Sequence, residues 1–304
     1  MTNPENKFLI IIAGPTGIGK TNLAIQLAKE YNTEIISADA RQFYKEMHIG
    51  TAKPDAELLA TINHHFINNI SIHDSYSVGQ YEQEALQIID RLFTVHNVVI
   101  LVGGSGLYID AIINGLDNLP ASDAEIRKQV IALYETKGLE YLQEYISEND
   151  PEYFQIADIQ NPQRLMRAME VILQTGKAYS SFRRKNIAKR NFNSIQICLD
   201  MEREKLYQQI NTRVDVMMQN CLLQEAEQLF SYRHLNALQT VGYKELFEFM
   251  EDKSTLETAI NKIKQNTRNY AKRQLTWFRK DKSYTWFNPL AVVDVKNYIK
   301  EKMQ

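Results

Sequence analysis

Eight residues, Gly14-Pro15-Thr16-Gly17-Ile18-Gly19-Lys20-Thr21, satisfy the G-x4-G-K-[ST] pattern between a short apolar run and an amphipathic segment. In that context the pattern has a mechanism. Backbone N–H groups of a Gly-rich turn and of the helix it opens converge on phosphate oxygens, Lys20 adds a point charge, and the Thr21 hydroxyl can ligate Mg²⁺. A routine ATPase would also carry an Asp at the end of a later apolar strand to hold the metal's water shell. Here that strand, Val98 to Val102, ends in Gly103-Gly104-Ser105-Gly106. The candidate acid is instead Asp39, just past a second short strand, where it would face the P-loop across the carboxyl edge of a sheet. An isolated Asp there can equally be a helix cap or a turn residue. Two chemistries fit a P-loop, a carboxylate and a basic helical region. Either a phosphoryl group is transferred, or a whole diphosphate departs while a carbon is transferred and Asp39 accepts a proton from the nucleophile. The residues themselves do not choose between them.

The elements that must position these groups follow from periodicity. Phe8 to Ala13, Glu34 to Ser37, Val98 to Val102 and Ser194 to Leu199 read as short buried strands, and Gln80 to His96 has helical spacing. Strands alternating with helices mean a parallel α/β sheet. From about Gly115 to Arg190 the strand signal is lost, and Glu125 to Lys137, Leu139 to Ser147 and Pro162 to Thr175 read as helices. Helices are also expected over Glu202 to Tyr232 and Leu256 to Lys280, whereas the stretch between the second strand and Gln80 reads as irregular and polar. The expected architecture is a P-loop NTPase-like parallel α/β core, residues 1–114 and 191–304 with a helical C-terminal region. An all-helical insertion, residues 115–190, interrupts it.

A hydrophobic share of 44% supplies core for this arrangement, and no stretch approaches the roughly 20 apolar residues of a membrane span. Met1 to Lys7 is polar rather than a charged leader before an apolar run, so a soluble, cytoplasmic protein with no membrane partner is expected. Cys198 and Cys221 lack metal-site or disulfide spacing and read as buried thiols, while the adjacent His64 and His65 would point different ways on any regular element and do not read as a metal site. Thirty-five basic against 37 acidic side chains give a net charge of −2, which argues against non-specific coating of nucleic acid. The distribution says more than the sum. Arg164, Arg167, Lys177, Arg183, Arg184, Lys185, Lys189 and Arg190 face one acid, Glu170, and a second basic run extends from Lys262 to Lys282. Such runs can be solvated faces, but two of them in a mildly acidic chain favour a polyanionic partner.

Taken in order, GPTGIGKT (14–21), ISADARQFY (36–44), IGTAKP (49–54), HHF (64–66), GGSGLY (103–108), NPQRLMRAMEV (161–171), VGYKEL (241–246) and TRNYAKRQLTWFR (267–279) resemble the bacterial tRNA dimethylallyltransferase family over nearly the whole chain. The resemblance implies transfer of a dimethylallyl group from dimethylallyl diphosphate to N6 of the adenosine 3′ of the anticodon, in tRNAs reading codons that begin with U. It implies Mg²⁺ at Thr21, tRNA as partner through its anticodon stem-loop, and a monomeric enzyme. Gly14, Pro15 and Thr16 to Thr21 become the diphosphate cradle, with Arg213 as a further diphosphate ligand, and Asp39 becomes the general base. Asp39, Ala40, Arg41 and Gln42, with Gln163, Arg164, Leu165, Met166 and Arg167, match segments that contact tRNA, as does Arg127. Ser105 stands where the family usually has Thr, keeping a hydroxyl beside the reaction centre, and Ala40 replaces the commoner Ser.

Three rivals remain distinct. A small-molecule or nucleotide kinase would bind hydrolysable ATP at the same loop and need no RNA. A prenyltransferase acting on free adenine nucleotides would have no use for a long basic insertion. A non-catalytic RNA-binding regulator would not need Lys20, Thr21 and Asp39 together. Tyr270, Trp277 and Phe278 could stack on bases, although their helical spacing also suits a core.

Overall fold

Six consecutive apolar residues bounded by a Gly-rich turn suit a strand covered on both faces. In the computed structural model, which describes residues 6–183 and 188–304, Phe8–Ala13 (β1) is buried throughout. It is followed by α1 (Lys20–Tyr31), β2 (Ile35–Ala38), α2 (Ala56–Thr61), β3 (His64–His65), α3 (Val78–Leu92), β4 (Val98–Gly103) and α4 (Gly106–Asn114). Three helices come next, α5 (Ala124–Asn149), α6 (Pro151–Ile156) and α7 (Pro162–Thr175). The chain then returns through β5 (Asn193–Leu199), α8 (Arg203–Gln219), α9 (Leu222–Leu229), α10 (Tyr243–Met250), α11 (Leu256–Phe278), β6 (Thr285–Phe287) and α12 (Val292–Lys302).

Met1–Ile113 with Lys189–Gln304 forms one compact unit, and Asn114–Ala188 forms a second. In the first, six parallel strands lie in the order β3-β2-β4-β1-β5-β6, so the expected α/β class is borne out. Alternate residues of β1 serve opposite faces. Phe8, Ile10 and Ile12 pack with α1, α8 and α12, whereas Leu9, Ile11 and Ala13 pack with α3, α4 and the end of α11. A separate core joins α8 to α11 and takes in Tyr44, Met47 and Ile72. The stretch read as irregular contains α2 and β3, whose six and two residues are too short for a periodic signal. His65 Nε2 sits 2.6 Å from Glu34 Oε2, and His64 Nδ1 2.7 Å from the Ile62 carbonyl. Cys198 is buried as expected, but Cys221 is exposed at a left-handed turn that opens α9.

The second unit has its own core, built from α5, α6 and α7 around Val130, Leu142, Ile146 and Leu165. Asn161 caps α7 by accepting the Arg164 N–H, Pro162 occupies its first turn, and Gly176 closes it in a left-handed conformation. The two helices expected on either side of Gly138 are both present within α5, separated by a kink at that glycine, whose backbone is non-helical with φ +77°. Glu170, 2% exposed, accepts hydrogen bonds from Arg127, from Arg167 Nη1 at 3.3 Å and from Ser122. Removing both arginines strands a buried carboxylate. The double replacement Arg127→Ala with Arg167→Ala should therefore cost about 3–5 kcal/mol in urea unfolding followed by circular dichroism. The exposed Arg164→Ala should stay within about 0.5 kcal/mol of the parent.

Candidate active site

The cradle begins where β1 stops. Gly14 has φ +142°, and a Cβ there would lie 2.9 Å from the Leu199 carbonyl oxygen of β5, so only glycine lets the turn leave the sheet at this point. Gly19 caps α1 without a side-chain acceptor, leaving first-turn N–H groups open to an anion at the positive end of the helix dipole. Lys20 Nζ donates to the Pro15 carbonyl at 2.8 Å, and the Thr16 N–H is held by Gln274 Oε1 at 2.8 Å.

Asp39 follows β2 on the same sheet edge. One of its carboxylate oxygens accepts the Arg41 N–H at 3.0 Å. The Ala40 N–H is held by Ser105 Oγ at 3.0 Å, and the Ser105 N–H by the Ala38 carbonyl at 3.2 Å, so the turns after β2 and β4 are pinned together. Arg41 Nη1 donates to the Asn236 and Ala237 carbonyls, both at 3.1 Å. Gln42 Nε2 reaches the Thr51 and Ala52 carbonyls at 3.3 and 3.4 Å, and Arg213 Nη2 reaches Ala52 at 3.3 Å.

Two cavities meet on this carboxylate. The first, about 990 Å³, is lined by Thr16 to Thr21, Gln42, Lys205, Arg213 and Gln274. The second, about 790 Å³, is lined by Ala40, Arg41, Gly242, Tyr270 and Arg273. Thr16, Asp39, Thr51, Ala52 and Arg213 belong to both. Burial lowers the Lys20 ammonium to about 8; Arg213 pushes the same way and Asp39 opposes. Burial also lowers Arg213 from its ordinary value, again opposed by Asp39. Both cations hydrogen-bond to carbonyls, and neither forms an ion pair among the described residues. The first cavity thus has the positive charge and the open amide donors that suit an anion. The Cys198 thiol nearby is pushed up to about 12 by burial, which keeps it protonated and unsuited to nucleophilic work.

The structure therefore gathers Gly14 to Thr21, Asp39 to Gln42, Ser105 and Arg213 at one sheet edge. Arg127 and Gln163 to Arg167 belong to the helical unit. There Gln163 and Arg164 are exposed, and Arg127 and Arg167 hold Glu170. Leu165 and Met166, 0% and 2% exposed, are core side chains, so the RNA contact expected of them has no exposed side chain to make it. Of the first basic run, Arg190 is engaged with Glu82 and with the Ala111 and Ile112 carbonyls, while Arg184 and Lys185 lie outside the described residues.

Sequence reasoning missed several contributors. Lys53 Nζ holds the Tyr44 carbonyl and Asn68 Oδ1, both at 2.5 Å. Glu225 accepts the N–H groups of His48, Ile49 and Gly50 and the Tyr243 hydroxyl, fixing the loop that brings Thr51 and Ala52 to the site. Gln274 braces the cradle. The IGTAKP and RQLTWFR strings contained Lys53 and Gln274, but no spacing rule marks one polar residue of a string as the brace.

Lys20 yields a pH test. Its folded value near 8 lies below the ordinary 10.5. The unfolded chain therefore binds more protons between those values, and this group's contribution to stability rises with pH across that window. An anion in the cradle reverses the shift. Calorimetric binding of inorganic diphosphate at about pH 8.5 should therefore take up a proton, detected by varying the buffer's ionisation enthalpy. The uptake should vanish in Lys20→Met.

With this geometry in hand, comparison with known proteins is informative. The sequence model of the IPP transferase family matches residues 42–281. The tRNA dimethylallyltransferase of Christiangramia forsetii is 53% identical over 282 residues, 93% of each chain. That of Flavobacterium psychrophilum is 50% identical, covering 92% of this chain and 94% of its own. Among solved structures, the tRNA isopentenylpyrophosphate transferase of Bacillus halodurans aligns over 98% of this chain and 97% of its own, with TM-score 0.73 at 35% identity. A eukaryotic dimethylallyltransferase acting on tRNA aligns over 93% of this chain and 74% of its own, with TM-score 0.78 at 28% identity. Agreement of this extent, in sequence and in fold, makes the chain a member of the IPP transferase family.

Proposed function

We propose that this enzyme transfers the dimethylallyl group of dimethylallyl diphosphate to N6 of the adenosine immediately 3′ of the anticodon, in tRNAs that read codons beginning with U. The observation that carries the reading is the meeting of two cavities at Asp39, one cationic and phosphate-suited, the other open beside Arg41, Tyr270 and Arg273. A kinase would also need an acceptor cavity, but β4 ends in glycine, with no acid there to hold a metal's water shell as a routine ATP-using P-loop enzyme would. The relatives' activity on tRNA supports the acceptor class.

The amine of adenine is a poor nucleophile because its lone pair is delocalised into the ring. Holding it in line with the allylic carbon, out of water, supplies most of what the reaction lacks. The carbon–oxygen bond to diphosphate breaks, a carbon–nitrogen bond forms at N6, and Asp39 takes the N6 proton. The Gly-rich turn, Lys20 and Arg213 stabilise the negative charge that accumulates on the leaving diphosphate. Ser105, through the Ala40 N–H, keeps the Asp39 turn in register with β4. Thr21 and Asp39 line one cavity and offer the hard oxygen donors that Mg²⁺ prefers, so the residues fit that ion, which when bound adds charge neutralisation to the diphosphate. The exposed Gln163 and Arg164 and the basic side chains of α11 contact the phosphate backbone of the anticodon stem-loop, and binding weakens as salt rises. The enzyme acts as a monomer in the cytoplasm.

Purified protein, labelled dimethylallyl diphosphate, Mg²⁺ and an anticodon stem-loop with the target adenosine should give labelled RNA. Folded protein that leaves the RNA unlabelled while hydrolysing ATP would move the assignment to a kinase. Asp39→Ala should lower kcat by about 10² to 10⁴ with diphosphate affinity nearly unchanged. Equal loss of both would make Asp39 a binding residue instead.

A further inference from the structure

Gln274 lies on α11 and is only 6% exposed. Its amide bonds two main-chain groups from different segments. Oε1 accepts the Thr16 N–H at 2.8 Å, and Nε2 donates to the Gly104 carbonyl at 2.9 Å. The fit is close, since a Cβ on Gly104 would lie 2.2 Å from Nε2. Neighbouring turns of α11 follow the same glycine segment. Tyr270 adjoins the Ser105 hydroxyl, and the Trp277 ring fills the space where a Cβ on Gly106 would be. One chain of contacts thus runs from the cradle at Thr16 through Gln274 to Gly104, then by Ser105 to Ala40 and Asp39.

Two consequences follow. The Thr16 N–H is already taken, so the amides left to receive phosphate oxygens are those of Gly17 onward. The cradle and the Asp39 turn also belong to different strands, β1 and β2, with β4 between them. In-line transfer needs their separation fixed, because a displacement of about 1 Å at a reacting pair can cost about a hundredfold in rate. We infer that Gln274 is a positioning residue that locks the diphosphate cradle to the turn after β4, and so sets the distance between leaving group and acceptor base. It acts through Thr16 and Ser105. The inference rests on the reading of the two cavities as leaving-group and acceptor sites.

The test uses the full chain, with transfer kinetics on the stem-loop, calorimetric binding of inorganic diphosphate, and thermal unfolding. Gln274→Ala should lower kcat by about tenfold to a hundredfold, with KM for each substrate changed by less than about threefold, the signature of an interaction expressed in the transition state. Gln274→Glu is the same size and guards against a folding defect. Ionised, its carboxylate can hold the Thr16 N–H but repels the Gly104 carbonyl and the diphosphate. Protonated, it can both accept and donate as the amide does, so its kcat relative to the parent should climb as pH falls. A Gln274→Ala kcat within about twofold of the parent would overturn the inference, as would a pH-independent ratio for Gln274→Glu. A loss accounted for by the unfolded fraction alone would do the same. Absence of transfer by the parent protein would instead remove the functional reading and this inference with it, whereas parent activity with unaffected variants removes only the inference.

Discussion

Lys20 and Arg213 are half-buried near each other, with carbonyl oxygens as their hydrogen-bond partners and Asp39 as the nearby carboxylate. Burying two cations against one acid is unfavourable, and burial lowers both from their ordinary values. On the proposed reading a diphosphate would relieve that imbalance, and the surrounding structure holds the two cations in place. The turn after β1 supplies the backbone donors, the left-handed Gly19 leaves the first turn of α1 open, and α8 brings Arg213 across from them. The second cavity opens onto the same point, because Asp39 lines both.

Much of the core beyond the sheet supports a single loop. Residues 48–53 bring Thr51 and Ala52 to the junction of the cavities, with Ala52 in a left-handed conformation that an alanine adopts only under constraint. The constraint is visible from three sides. Glu225 gathers three successive amides at the loop's start, Lys53 is tied down at its end, and Gln42 and Arg213 hold the carbonyls between. The Tyr243 ring closes against Gly50, where a Cβ would lie 2.6 Å from it. The core joining α8 to α11 thus backs the loop that lines both cavities, the kind of support a preorganised site requires.

In the helical unit, charge serves two purposes that composition cannot separate. Arg127 and Arg167 are consumed by Glu170, whose near-complete burial demands cationic partners. Arg164 and Gln163 stand exposed on the same turn of α7, with hydrogen-bonding capacity to spare for a polyanion. On α11 and in the turn that follows it the same division recurs. Lys262, Lys264 and Arg279 are paired with Glu248, Asp215 and Asp200, while Lys272, Arg273 and Lys280 are exposed without an ion pair among the described residues.

Local signals were enough for the parallel sheet, the cradle and most of the longer helices, α4 and α12 excepted, because strand burial and helix amphipathicity are written in residues close along the chain. They missed α2, β3 and β6, which are too short for a period to register. They also misjudged Cys221, since an apolar neighbourhood in sequence says nothing of the turn that exposes it. Gly14 to Thr21 could be named as a phosphate cradle from sequence because the motif is contiguous, whereas Asp39 at a strand end was one candidate among turn and cap residues until the family resemblance singled it out. Contacts between residues far apart in sequence were decided only by the tertiary structure. Gln274 lies 258 residues from Thr16, and Glu225 lies 177 from His48. No pattern along the chain specifies such a pairing, because the chain's folding, rather than its spacing, brings an amide on α11 within hydrogen-bonding distance of a turn after β1.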